Sequence, residues 1–88
     1  MLKLTIITPN YNYSRYIGQT IESVINQDYP NIEYIIVDDG STDNSVEIIQ
    51  SYVNRYPSKI TLITQSNKGQ TKAINKALSV ATGDILVW

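Results

Sequence analysis

Apolar residues along this chain fall into two kinds of run. Four runs are short and rich in β-branched side chains: residues 2–8, 33–37, 60–64 and 84–88. Ile35, Ile36 and Val37 follow one another without alternation, a pattern that suits strands covered on both faces, as in parallel sheets. The first strand is predicted to stop at Thr8, because Pro9 cannot donate to a central ladder. Between these runs the apolar positions change to helical spacing. Ile17, Ile21, Val24 and Ile25 lie on one face of a helix over 15–27, with Ser14 as its cap, and the segment 28–31 ends it. Val46, Ile49 and Val53 do the same over 45–56, where Ser41 or Thr42 is the capping candidate. Ala73, Ile74, Ala77, Leu78 and Ala81 mark a third helix, closed by Gly83.

Strand and helix thus alternate from end to end, with short connections. Right-handed crossovers then require a mostly parallel sheet between helices, a three-layer α/β architecture of Rossmann-like type. In such a sheet the loops after Thr8, Val37 and Thr64 emerge along one edge, where open α/β sheets place ligands. The fourth strand has barely begun when the sequence ends, which reads as a chain cut short before the loop that should follow.

Composition narrows the chemistry. At 88 residues the chain allows one modest domain, and 42% hydrophobic with 17% charged residues is a globular balance. Seven basic against eight acidic residues give a net charge of -1, which argues against a nucleic-acid partner. Neither cysteine nor histidine is present, so thiol chemistry, disulfides and imidazole bases are excluded. The first residues have neither the length nor the flanks of a signal peptide or membrane span, and a cytoplasmic chain is the expectation.

The polar side chains gather in the three edge loops. Asp38 and Asp39 precede Gly40 at a strand end, two acceptors beside a tight turn, suited to a nucleobase N–H, a ribose hydroxyl or, with help, a cation. The plainer reading is one capping and one solvated aspartate. Tyr11, in the segment Pro9-Asn10-Tyr11-Asn12, offers a face for base stacking; otherwise it packs on the first helix, and Asn12 is an ordinary turn or helix-start residue. Gly69 and its neighbours supply amides at the start of the third helix, with Lys68 and Lys72 close by for phosphate or sugar oxygens, although each lysine alone reads as solvated. Asn75, a poor helix former one turn further on, suits a hydrogen bond to the loop, or simple exposure. The glycine patterns of dinucleotide folds and P-loops are missing from the first connection.

Taken together, these segments resemble the inverting glycosyltransferases of family 2, with their GT-A nucleotide-diphospho-sugar transferase fold. The likeness is carried by Thr8-Pro9-Asn10-Tyr11-Asn12, Val37-Asp38-Asp39-Gly40-Ser41, Asn67-Lys68-Gly69-Gln70, Ala73-Ile74-Asn75 and Ala81-Thr82-Gly83-Asp84, in order over nearly the whole chain. The resemblance implies that residues 1–88 are the N-terminal donor-nucleotide-binding part of such a domain, the acceptor half being absent. Its substrate would be a nucleoside-diphosphate sugar, most often UDP-linked. Tyr11 would lie on the base, Asp39 would bind the ring N–H, and Asp38 with the Pro9 loop would shape the ribose side.

The family's acidic motif for Mg²⁺ or Mn²⁺ is expected beyond residue 88, as is the general base, so no catalytic or metal-binding residue is assigned here. The acceptor would be a glycan or a lipid-linked glycan, which would bring the complete enzyme to the inner face of the membrane as a peripheral protein. Many members carry an arginine and a glycine where this chain has Ile74 and Ala77, and the Gln70 and Ile74-Asn75 pattern resembles a subgroup associated with surface-polysaccharide synthesis. Two other functions compete: a sugar-phosphate nucleotidyltransferase, which would need a basic glycine-rich first loop, and a non-catalytic α/β interaction module. The isolated stretch is expected to lack transferase activity.

Overall fold

The computed structural model describes residues 2–87. Seven elements follow in the order the sequence predicts: β1 (Leu4–Asn10), α1 (Ser14–Ile25), β2 (Ile32–Asp39), α2 (Ser45–Arg55), β3 (Ile60–Gln65), α3 (Gln70–Val80) and β4 (Ile85–Val87). The strands form one sheet in the order β3-β2-β1-β4, and every pairing is parallel. The chain steps outward from β1 to β3 and then crosses back to β4. With right-handed crossovers, that reversal puts α1 and α2 on one face and α3 on the other.

The core shows the same division. Ile6, Tyr34 and Ile36 pack with Ile17, Ile21 and Val24 of α1 and Ile49 of α2. Their neighbours along the strands, Ile7, Ile35 and Val37, pack instead with Ala73 and Ala77 of α3. Even-numbered residues of β2 thus face α1 and α2, and odd-numbered ones face α3, as a two-residue strand period requires. Ile35, Ile36 and Val37 are all at most 1% exposed, so their unbroken apolar run reflects cover on both faces.

Several boundaries differ from the sequence expectation. β1 begins at Leu4 and continues through Pro9 to Asn10. The strand continues because its parallel ladder with β2 runs on through Pro9 opposite Val37 to Asn10 opposite Asp38. β2 extends past Val37 to include both aspartates, since its ladder with β1 and β3 continues to Asp38 and Asp39. The predicted caps are not used. Ser14 is already helical, with Tyr13 at the N-cap and no side-chain cap bond. Neither Ser41 nor Thr42 caps α2; the Ser45 amide donates to Asp43 at 2.9 Å instead. α3 ends at Val80, before Gly83. The expectation for Trp88 falls outside the described residues.

The turn from α3 into β4 is held from beneath. Thr5 donates to Glu33 and accepts from the Gly83 amide, while the Thr82 amide donates to Glu33 at 3.0 Å. Asp84 accepts from the Lys3 amide at 2.8 Å, a structural turn role. A side chain at Gly83 would run into the Thr5 hydroxyl, so the glycine permits the close approach.

Candidate functional site

The register of β1 against β2 pairs Asn10 with Asp38, which carries the residues after Asn10 alongside Asp39. At this carboxyl edge lies a cavity of about 360 Å³, in the range of small-molecule sites. One wall is Pro9, Asn10, Tyr11 and Tyr13; the other is Asp39, Asn67, Gly69 and Gln70. Tyr11 and Asp39 therefore line a common cleft. The Tyr11 ring is 44% exposed, available to a planar partner rather than packed away.

Strand alternation sends the two aspartates to different work. Asp39, an odd position, faces the side of α3 and gathers the loop leading into that helix. Its Oδ1 accepts from the Lys68 amide at 2.7 Å and the Gln65 side-chain amide at 2.9 Å, and its Oδ2 accepts from the Gly69 amide at 2.9 Å. The Asn67 side chain adds a bond to the Asp39 carbonyl at 3.2 Å. The Lys68 amide, then the Gln65 side chain, then the Gly69 amide hold the Asp39 carboxyl below its ordinary range, against the opposing effect of desolvation.

Three donors occupy a group with about four acceptor positions, which leaves Oδ2 free for roughly one more. Gly40, at φ 74°, lets this loop close in, because a Cβ there would come within 2.8 Å of the Asn67 amide nitrogen.

Asp38, an even position only 1% exposed, faces the other way. It accepts from the Asn10 side-chain amide at 2.9 Å, the Ser41 hydroxyl at 2.6 Å and the Ser41 backbone amide at 2.9 Å. Asn12 continues this fastening from a left-handed conformation, φ 54°. Its amide donates to Ser41 Oγ at 2.9 Å, and its Oδ1 accepts from the Thr42 amide at 2.8 Å. Asp43 completes the joint, accepting from the amides of Ser14 and Ser45. The Ser45 hydroxyl, foremost, with these amides holds its carboxyl down to about 2, although that hydroxyl makes no hydrogen bond of ordinary geometry.

Of the seven residues singled out from the sequence, Pro9, Tyr11, Asp39 and Gly69 line the cavity. Asp38 and Asn12 lie behind it, tying the first loop to the second. Asn75 is exposed and lines a separate groove on α3, with no part in the loop. Asn10, Tyr13, Asn67 and Gln70 complete the walls and were not among those seven. For Asn67 and Gln70 a signal existed, since both belong to the segment quoted for the family likeness; for Gln65 nothing short of the β3 register reveals its bond to Asp39. None of the residues lining the cavity is basic, and among the described residues no group of three or more acidic, histidine or cysteine side chains could hold a metal ion.

Comparison with known proteins gives the fold and the family. The chain is 44% identical over 87 residues to an uncharacterized glycosyltransferase of Nostoc sp. (strain PCC 7120), covering 99% of this chain and 27% of the relative. Among solved structures, the mannosyltransferase PcManGT from Pyrobaculum calidifontis, in complex with GDP-Man and Mn²⁺, superposes with a TM-score of 0.90 at 31% identity, over 97% of this chain and 26% of that one. Residues 1–349 of Staphylococcus aureus TarS, in complex with UDP, give 0.86 at 32% identity, again over 97% and 26%. This chain spans 25% to 34% of the length of the first curated relatives it matches, all glycosyltransferases. The parallel sheet and its alternating helices are part of the GT-A fold. The sequence model of glycosyl transferase family 2 matches residues 5–88, and the chain belongs to that family.

Proposed function

We propose that residues 1–88 form the donor-nucleotide-binding part of a glycosyltransferase that transfers a sugar from a UDP-sugar to a glycan hydroxyl with inversion, the acceptor half lying outside this stretch. The observation that carries the reading is the shared cleft of Tyr11 and Asp39. The Tyr11 ring stacks on the base, and Asp39 accepts its ring N–H. Asp39 has room for about one further donor. Uracil presents one ring N–H to such a group, whereas guanine presents two adjacent donors. That difference favours uracil, although the similar mannosyltransferase was solved with GDP-Man.

Asp38, Asn12 and Asp43 hold the first two loops so that the stacking face and the acceptor keep their separation, while Gly69 and the Lys68 amide fix the Asp39 carboxylate. Mg²⁺ or Mn²⁺ would be held by side chains beyond residue 88 and would neutralise charge on the departing diphosphate. No general base is assigned among residues 1–88. No helix of the described residues is long and apolar enough to cross a membrane. A cytoplasmic enzyme, held at the inner membrane face through a lipid-linked acceptor, fits this reading.

Calorimetric titration with UDP, GDP and CMP, with and without Mn²⁺, tests it. UDP is expected to bind most tightly, with little help from the metal in this stretch alone. Absence of affinity for any nucleotide would move the assignment to a non-catalytic module. A sugar-phosphate nucleotidyltransferase is disfavoured by the lack of any basic side chain in the cavity walls to grip a triphosphate.

A further inference from the structure

Between Glu47 and Asp84 the sequence contains no acidic residue and five basic ones, Arg55, Lys59, Lys68, Lys72 and Lys76. Three of these residues, Lys68, Lys72 and Lys76, line one groove of about 370 Å³ together with Gln65, Asn75 and Ser79. Ala73 and Ala77 fix the rotation of α3 by packing on the sheet, so Lys72, Asn75, Lys76 and Ser79 form its outward stripe. None of the three lysines has an ion pair or a side-chain hydrogen bond among the described residues. Like charges one helical turn apart repel, so the stripe carries a small cost that an anion would remove.

The groove is separate from the nucleotide cavity and backs onto it: Lys68 stands in the loop whose amides hold Asp39. From Lys72 to Ser79 it extends about 10 Å along the helix, more than one phosphate can span. It is shallow and open, with amide and hydroxyl groups between the charges. Its lining offers no bulky apolar side chain to insert among lipid headgroups.

We infer that this groove is a second site, an exosite for an extended anionic chain, with lysines 68, 72 and 76 meeting successive phosphodiester groups of an acceptor polymer while its end is presented elsewhere. Lysine suits this task as a mobile point charge, and the neutral amides suit the polyol hydroxyls between phosphates. Only the word acceptor rests on the glycosyltransferase reading; binding of the polyanion can be measured without turnover.

The test uses fluorescence anisotropy with labelled poly(glycerol phosphate), a neutral dextran of matched length and phosphatidylglycerol vesicles, alongside UDP titration. The double variant K72Q/K76Q is expected to bind poly(glycerol phosphate) about tenfold more weakly at low salt, with the slope of log K against log salt flatter by about 1. Its affinity for UDP should be unchanged. Longer poly(glycerol phosphate) should bind more tightly than shorter.

Unchanged polymer affinity in the variant, equal binding of dextran, or lysine-dependent binding to the vesicles would overturn the inference. A parallel loss of UDP affinity would also overturn it, by assigning the lysines to the donor. Polymer binding by a chain that binds no nucleotide would uphold the exosite and sink the donor reading, so the two failures are separable.

Discussion

Asp38 and Asp39 are neighbours in sequence with the same side chain, yet they serve different halves of the molecule. Asp38 gathers Asn10 and Ser41 and belongs to the joint between the first and second edge loops. Asp39 gathers Gln65, Lys68 and Gly69 and belongs to the loop that enters α3. The difference comes from strand parity alone: even residues of β2 look toward α1 and α2, odd ones toward α3. One position sets the frame of the first two loops; the other sets the frame of the third and, in the proposed function, accepts from the base.

Substitution at each position is the strongest way to break this contrast. Asp39→Asn removes the charge that holds two loop amides and, in the proposed function, meets the base, and it should weaken UDP binding by about tenfold to a hundredfold in calorimetry. Asp38→Ala should act mainly on folding. It leaves the buried Asn10 side-chain amide only its long bond to Ser41 and removes both Ser41 bonds to the carboxylate, at a cost of about 2 kcal/mol read from urea denaturation, with a smaller change in the intrinsic UDP affinity of the folded fraction. Equal effects of the two variants on UDP would dissolve the distinction.

Gly40→Ala separates the two regions in another way. The added methyl would press on the Asn67 backbone and would have to sit at positive φ, so a loss of about 1–2 kcal/mol is expected, with NMR shift changes concentrated in residues 65–70. Tyr11→Ala should lower affinity for UDP about tenfold and for GDP by a similar factor, because stacking is indifferent to base identity; Tyr11→Phe should retain most of it.

The smallest effect concerns pH. Both Asp39 and Asp43 have carboxyls held below their ordinary range, so their contribution is complete above the unfolded value, near 4. It is lost only as acid protonates them, for Asp43 over the interval from about 4 down to about 2. Stability and UDP affinity should therefore be flat with respect to these groups from pH 8 to about 5 and fall below that, as measured by thermal melts and titration.

Much of this architecture was legible in the pattern of apolar residues. The unbroken Ile35-Ile36-Val37 run reported a strand covered on both faces, and the helical spacing of Ile17, Ile21 and Val24 reported the face now packed on it. The strand ends were less legible, because β2 continues through two charged residues whose partners, Ser41 apart, are 26 to 30 positions away. Helix caps failed for a similar reason: Ser41 and Asn12 are consumed in bonds between loops, and Asp43 receives both helix starts. Asn75 shows the limit of reasoning from a motif, since its helix turns it toward the lysine groove instead of the nucleotide cavity.

The most direct measurement is a heteronuclear NMR titration of the ¹⁵N-labelled chain with UDP. Amide shifts centred on Tyr11, Asp39, Lys68 and Gly69, with Lys72 and Asn75 still, are the expected result. Shifts confined to the outward face of α3, or no saturable change at any of the four, would contradict a nucleotide cleft between β1 and the loop that Asp39 holds.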